Sequence, residues 1–295
     1  MRRVLPFLAL AAACGGTALP DRVAVLGVDR LSGGLAGQEV ELPGTDFAAV
    51  RGPAGMMMLG SSPSSARIPD CSLRRRASGA LIARTLPCVS LLGHYAAMDR
   101  ARQFLLAAGA EALLPAPVLV DSGGEPGLRY DAASDTFQLG EGPAGARVPL
   151  ALNPGAVTRE MSRRQLRTVA AAHPEEAEGV ALFLGAAAAG DPGYLASSEP
   201  GGDPIGRLDL SRPLPSGAAA SAVLASALWA WADASGDLTG AARAALAAAR
   251  ALAQGPSDPA SVLSLVAAQL DGAERDQACA VFRARLHGAG ISACP

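Results

Sequence analysis

Residues 151–172 read ALNPGAVTREMSRRQLRTVAAA. Leu152, Ala156, Val157, Met161, Leu166, Val169 and Ala170 fall at roughly helical spacing, which predicts one amphipathic helix across the stretch. At its centre, Arg159-Glu160-Met161-Ser162-Arg163 sets two arginines four residues apart around a glutamate. Residues at that spacing share a helix face, so both guanidiniums project the same way. What flanks this helix decides how the chain is organised.

Upstream, from about Asp21 to Ser90, short strand-like runs (RVAVLGV, QEVELPG, MMMLGSS) are separated by Gly, Pro and Ser clusters. HYAAMDRARQFLLAAG (94–109) reads as an amphipathic helix stopping at Gly109, and APVLVDS as a buried strand. LRYDAASDTFQLGEG reads as a hairpin whose strands are joined by Asp-Ala-Ala-Ser-Asp. Downstream the pattern changes to Ala/Leu-rich helices near 175–189, 217–234, 238–253, 258–271 and 273–287, with Pro/Gly-rich joints. The order predicts an α+β fold: a β-rich N-terminal part, a central helix and an all-helical C-terminal lobe. The expected divisions are a signal peptide (1–13), a β-rich segment (14–90), an α/β half with the hairpin and central helix (91–174), and the helical lobe (175–295).

The chain has 295 residues and a net charge of −2, which gives no electrostatic case for nucleic acid as a partner. All 25 basic residues are arginine. An arginine is therefore the default cation of this chain and is not by itself a sign of a special role.

Arg2 and Arg3 precede an apolar run from Val4 to Ala13, the n-region and h-region of an export signal. That run is too short for a stable membrane span. It ends Leu10-Ala11-Ala12-Ala13-Cys14, which resembles a bacterial lipobox with its leucine one place further from the cysteine than usual. Lipidation at Cys14 is the favoured reading, and plain cleavage after the small-residue stretch is the alternative. On either reading the protein leaves the cytoplasm, as a membrane-anchored lipoprotein of the bacterial cell envelope or as a secreted or periplasmic protein. Four further cysteines remain, and three pairings are open to them. Proximity favours Cys71–Cys88 and Cys279–Cys294 over four free thiols in an oxidising compartment. No cysteine or histidine pair stands at metal-ligand spacing.

Taken in order, HYAAMDRARQFL, PVLVD, the hairpin and ALNPGAVTREMSRR resemble the catalytic domain of thermolysin/fungalysin-type (gluzincin) zinc metallopeptidases. EEAEGVALFLGAAAAGDP resembles the family's second helix, and SAVLASALWAWAD its A-L-W helix. In that family the hairpin supplies the edge strand that pairs with substrate, and the next helix carries H-E-x-x-H. The resemblance puts the two zinc-binding histidines at Arg159 and Arg163, the general base at Glu160 and the third ligand at Glu178. Two supporting aspartates fall on Leu182 and Ala230.

Zinc hydrolysis needs three protein ligands and an open position for an activated water. A guanidinium has no lone pair to donate and stays charged at any usable pH. The resemblance therefore implies a pseudo-peptidase with no catalytic residue, metal or cofactor. It would be exported, with a binding or assembly role. Its expected partners are the membrane, through the N-terminal lipid, and a peptide or protein in the former substrate cleft, where edge-strand pairing needs only backbone groups. One alternative is an active peptidase or hydrolase using other residues, with or without metal. Another is an unrelated helical lipoprotein. His94, His173 and His287 lie far apart; His173 and His287 read as residues at helix C-termini, His94 as structural. The resemblance also implies an Arg–Glu cluster, with Arg159 or Arg163 on Glu178. The plain alternative is a helix whose arginines face solvent.

Overall fold

The computed structural model describes residues 22–28, 34–121, 127–140, 148–197, 208–215, 217–252, 259–286 and 291–294. The expected signal peptide 1–13, Cys14 and His287 lie outside them.

Strands β1 (Arg22–Val28) and β2 (Leu35–Glu41) pair antiparallel from Arg22 opposite Glu41 to Val28 opposite Leu35. Alternation decides which face is buried: Val23 and Val25 point to the core while their neighbours do not. Next come β3 (Arg51–Gly52), β4 (Gly55–Leu59), β5 (Leu73–Arg75) and β6 (Leu81–Ala83). Helix α1 (Leu86–Ala107) follows, then β7 (Pro117–Asp121) and the hairpin β8 (Gly127–Asp131) and β9 (Thr136–Gly140). The strands form two mixed sheets, ordered β2-β1-β6-β5 and β3-β4-β7-β9-β8. β4, β7 and β9 run parallel, and β8 is an outer strand paired antiparallel to β9.

Two sequence expectations shift here. Helix α1 starts at Leu86, eight residues before His94, with Pro87 in its first turn. A proline is favoured at that position because its missing N–H would be unsatisfied there anyway. The divide expected at residue 90 falls inside α1. The 14–90 and 91–174 segments also share a sheet through β4 and β7, and share one core.

The predicted 151–172 helix is broken into three pieces. A short 3-10 turn (Leu150–Leu152) leads into α2 (Pro154–Gln165), and α3 (Arg167–Ala170) follows Leu166. Asn153 and Pro154 set the start of α2. The Asn153 side chain accepts from the amides of Gly155 (3.0 Å) and Ala156 (3.2 Å), and Pro154 can only open a helix. The helical lobe comprises α4 (Pro174–Ala189), α5 (Ala220–Ser235), α6 (Leu238–Ala251), α7 (Pro259–Ala267) and α8 (Gly272–Arg285). The protein is thus α+β with a helical C-terminal part.

Two hydrophobic cores flank α2. One lies between the sheets and α1 and takes in Val157; the other fills the helical lobe and takes in Ala156 and Leu166. Met161 packs against both. Among the described residues no helix is long and apolar enough to cross a membrane.

Cys71 is bonded to Cys88 and Cys279 to Cys294, closing sequence separations of 17 and 15 residues. In the chain-entropy account, loops of this size each contribute about 3 kcal/mol. Replacing either pair by serine should lower unfolding free energy by about that amount in denaturant titration. Non-reducing peptide mapping should recover only these two cross-links.

Candidate functional site

The site begins with a helix crossing. Helices α2 and α4 pack with bare backbone between them at Gly155 and Gly185. A Cβ on Gly185 would sit 2.7 Å from the Gly155 carbonyl oxygen, and one on Gly155 would sit 2.9 Å from the Gly185 carbonyl oxygen. Real side chains do not tolerate such contacts, so only glycine allows this approach. The Tyr194 ring lies over the same spot. Arg159 stands one turn along α2 from Gly155, and Glu178 about two turns back along α4 from Gly185. The antiparallel crossing brings the two together.

Both arginines reach Glu178. Arg159 donates from Nε (2.9 Å) and Nη2 (2.6 Å) to Oε1, and Arg163 donates from Nε to Oε2 (2.7 Å). Arg163 also donates from Nη1 to Glu160 Oε1 (2.7 Å). The second oxygen of Glu160 accepts the Tyr130 backbone amide of β8 at 2.9 Å. Four side chains from two helices thus form one network that also holds the outer strand. It is largely buried: Arg159 is 8% exposed and Glu160 4%.

The charges balance, and the ionisation follows. Burial works against the Glu178 carboxylate, but the charge of Arg159 and the hydrogen bond from Arg163 outweigh it and hold Glu178 below its ordinary range. Burial likewise works against the Arg163 cation, and the hydrogen bond it donates to Glu178 and the charge of Glu160 more than offset it.

A second pairing fastens the hairpin to the end of α2. Arg164 grips Asp135 through Nε (2.7 Å) and Nη2 (2.8 Å), and the Tyr130 hydroxyl donates to the same carboxylate at 2.7 Å. Asp135 closes the β8–β9 turn with φ +49°, a left-handed conformation that aspartate tolerates better than most residues. The Arg164 hydrogen bond leads the effects that pull its carboxyl down to about 2.

As a metal site this arrangement does not fit. Residues 159 and 163 present guanidiniums, which cannot ligate, and their donors already occupy both oxygens of Glu178. Among the described residues no group of three or more His, Cys, Asp or Glu could hold a metal ion. Leu182 is buried in the helical core and supplies no carboxylate. Cys71, Cys88, Cys279 and Cys294 are all in disulfides.

The histidines are elsewhere. His173 stands at a joint: its amide donates to the Val169 carbonyl at the end of α3 (2.8 Å), as expected, and the same residue is the N-cap of α4. His94 is buried on α1 with Nε2 3.0 Å from Ser90 Oγ. Burial pushes its pKa down to about 4.

Neither the Tyr130 amide bond to Glu160 nor the Arg164–Asp135 pair is legible in the sequence. Both join residues about 30 apart that meet only once the hairpin folds back on α2. Comparison with known protein families and with curated proteins returns no match for this chain.

Two outcomes follow. Arg159→Met should cost about 3 kcal/mol by leaving Glu178 short of a partner. Replacing Arg159, Arg163, Glu160 and Glu178 together by apolar residues of similar volume should cost less than that single change, as chemical denaturation of the two variants would show. His94 is neutral when folded down to about pH 4 but takes a proton near pH 6.5 when unfolded. The unfolded state therefore binds more protons between those values, and stability should fall as pH drops through that window, by up to about 3 kcal/mol. His94→Gln should flatten that part of the curve of unfolding free energy against pH.

Proposed function

We propose that this chain is an exported, lipid-anchored protein of metallopeptidase-like architecture that carries no peptidase chemistry and serves binding or assembly. The observation that carries the reading is the Arg159–Glu178–Arg163–Glu160 network. At the positions where the resemblance calls for zinc and its activated water, the chain places salt-bridged cations. Glu160, the position of the general base, is occupied by Arg163 and by the Tyr130 amide. Both of its oxygens are thereby engaged by donors, which leaves neither free to take a proton from a water.

The surrounding layout supports the same reading. An outer strand, β8, lies against a helix bearing the motif, and the next long helix supplies the third motif residue. In β8 the Tyr130 amide points away from β9, so by strand alternation the backbone groups of Leu128 face the same outer edge. A peptide in extended conformation would add to that edge beyond Tyr130, through backbone groups and with little demand on its sequence. Export is supported by the Arg2/Arg3 and apolar N-terminus and by two disulfides, which persist in oxidising compartments.

Metal analysis of the purified protein tests the chemistry: the wild type should hold no stoichiometric zinc, and zinc with peptidase activity would overturn the reading. Arg159→His combined with Arg163→His should gain zinc binding through Glu178 if the cleft geometry is the family's. Labelled fatty acid should enter the wild type and fail to enter Cys14→Ser; equal labelling of both, or none, would remove the lipid anchor.

A further inference from the structure

The β5–β6 ribbon carries a row of cations with few internal partners: Arg75 donates to the Gly79 carbonyl at 2.7 Å, and Arg76 reaches Glu39 at 3.8 Å. Its register places Arg74 opposite Ile82 and Leu73 opposite Ala83. Backbone bonds from Arg76 to Ala80 (2.8 Å) and from Arg84 to Ser72 (3.0 Å) extend the pairing at both ends. Side chains alternate between faces, so Arg74, Arg76 and Arg84 share one side with Ile82. The opposite side holds buried Ala83 and Leu81, which pairs with fully buried Val23; on the arginine side Ala80, opposite Arg76, is itself buried, while Arg74, Arg76 and Arg84 are exposed. Arg22 on β1 falls on the same outer face.

The acids nearby do not cancel this charge. Glu41 stands opposite Arg22, while Glu39 is shared among Arg22 (3.1 Å), Arg76 (3.8 Å) and the Ser78 hydroxyl (2.8 Å). From Arg67 to Leu86 the chain holds five arginines and a single acid, Asp70, in a protein whose net charge is −2. Arg67, Arg74, Arg75, Arg76 and Arg84 are all exposed. The same stretch of chain exposes two large aliphatic side chains: Ile68 at 53% and Leu86, two residues after Arg84, at 83%. The Cys71–Cys88 bond ties together the two segments that carry them.

We propose that this face of the β2-β1-β6-β5 sheet rests on an anionic phospholipid surface, with guanidiniums on lipid phosphates and Leu86 and Ile68 at the acyl boundary. Clustered arginine beside exposed aliphatic residues matches the chemistry of that interface, where a phosphate can be held bidentately and apolar tips are buried. The tether agrees with this orientation. Cys14 and Arg22 are eight residues apart, so a lipid on Cys14 would keep this face within about 28 Å of the bilayer. The proposal rests on the export reading for bringing the chain to a membrane, but its chemistry does not depend on the lipid.

The test uses the full chain carrying Cys14→Ser, which cannot be acylated there, mixed with phosphatidylglycerol/phosphatidylcholine vesicles or with phosphatidylcholine alone. It should sediment with the anionic vesicles, and the fraction bound should fall as salt rises. Adding Arg74→Gln, Arg76→Gln and Arg84→Gln should lower that binding at least about tenfold. Leu86→Ser should lower it several-fold at every salt concentration. Equal binding to neutral vesicles, or no effect of the triple change, would overturn the proposal. Retention on immobilised polyglutamate without vesicle binding would also overturn it, in favour of an acidic protein partner. Failure of fatty-acid labelling at Cys14 would overturn only the lipid anchor, since the vesicle assay does not use it.

Discussion

The contact between bare backbones at Gly155 and Gly185 fixes the rest of the site. Helices ordinarily pack 8–10 Å apart, held off by their side chains. Here each glycine removes the side chain that would hold the helices off, and the Tyr194 ring fills the space beside them. The approach matters because α2 is shared property. It contributes Val157 to the sheet-side core and Ala156 and Leu166 to the helical core. Shifting α2 against α4 would disturb both cores and would pull Arg159 away from Glu178.

The ion network built on that crossing is better understood as register than as adhesive. Taking two arginines and two glutamates out of water costs several kcal/mol per ion, which their mutual attraction offsets only with good geometry. The geometry is good: every contact lies between 2.6 and 2.9 Å, and Glu178 is filled from both sides. Apolar side chains could give comparable stability, but they would not specify which turn of α2 meets which turn of α4. They would also leave the Tyr130 amide without its acceptor, and with it one of the ties between hairpin and helix.

Much of the architecture was legible because it rests on local signals. The hairpin over 128–142 was marked by a turn sequence between alternating runs, and the C-terminal helices by Ala/Leu periodicity closed by Gly190 and Gly236, both left-handed. Element ends were harder. The start of α1 was missed because Cys88 and Leu91, which belong to its buried face, lie in a stretch with strong strand and turn signals. The break at Asn153-Pro154 was hidden under apolar spacing that ran straight through it. Spacing records which residues are buried; it does not record where the hydrogen-bond ladder stops.

The site itself was only half legible, and the reason is compositional. With arginine as the sole cation, Arg159 in the buried network and Arg74 on the outer sheet face look alike in sequence. What separates them is whether the fold brings a carboxylate to the guanidinium. Arg159, Arg163 and Arg164 meet Glu178, Glu160 and Asp135 from three different elements, and the result is closed and nearly neutral. Among the described residues the one acid that the ribbon arginines reach is Glu39, which Arg22 already shares, so most of their charge stays available to solvent or to a partner. Arginine suits both tasks, since its rigid fork binds a carboxylate or a phosphate bidentately and its charge does not titrate. The same residue type therefore closes one surface of this protein and leaves another open, and the supply of nearby acids decides which.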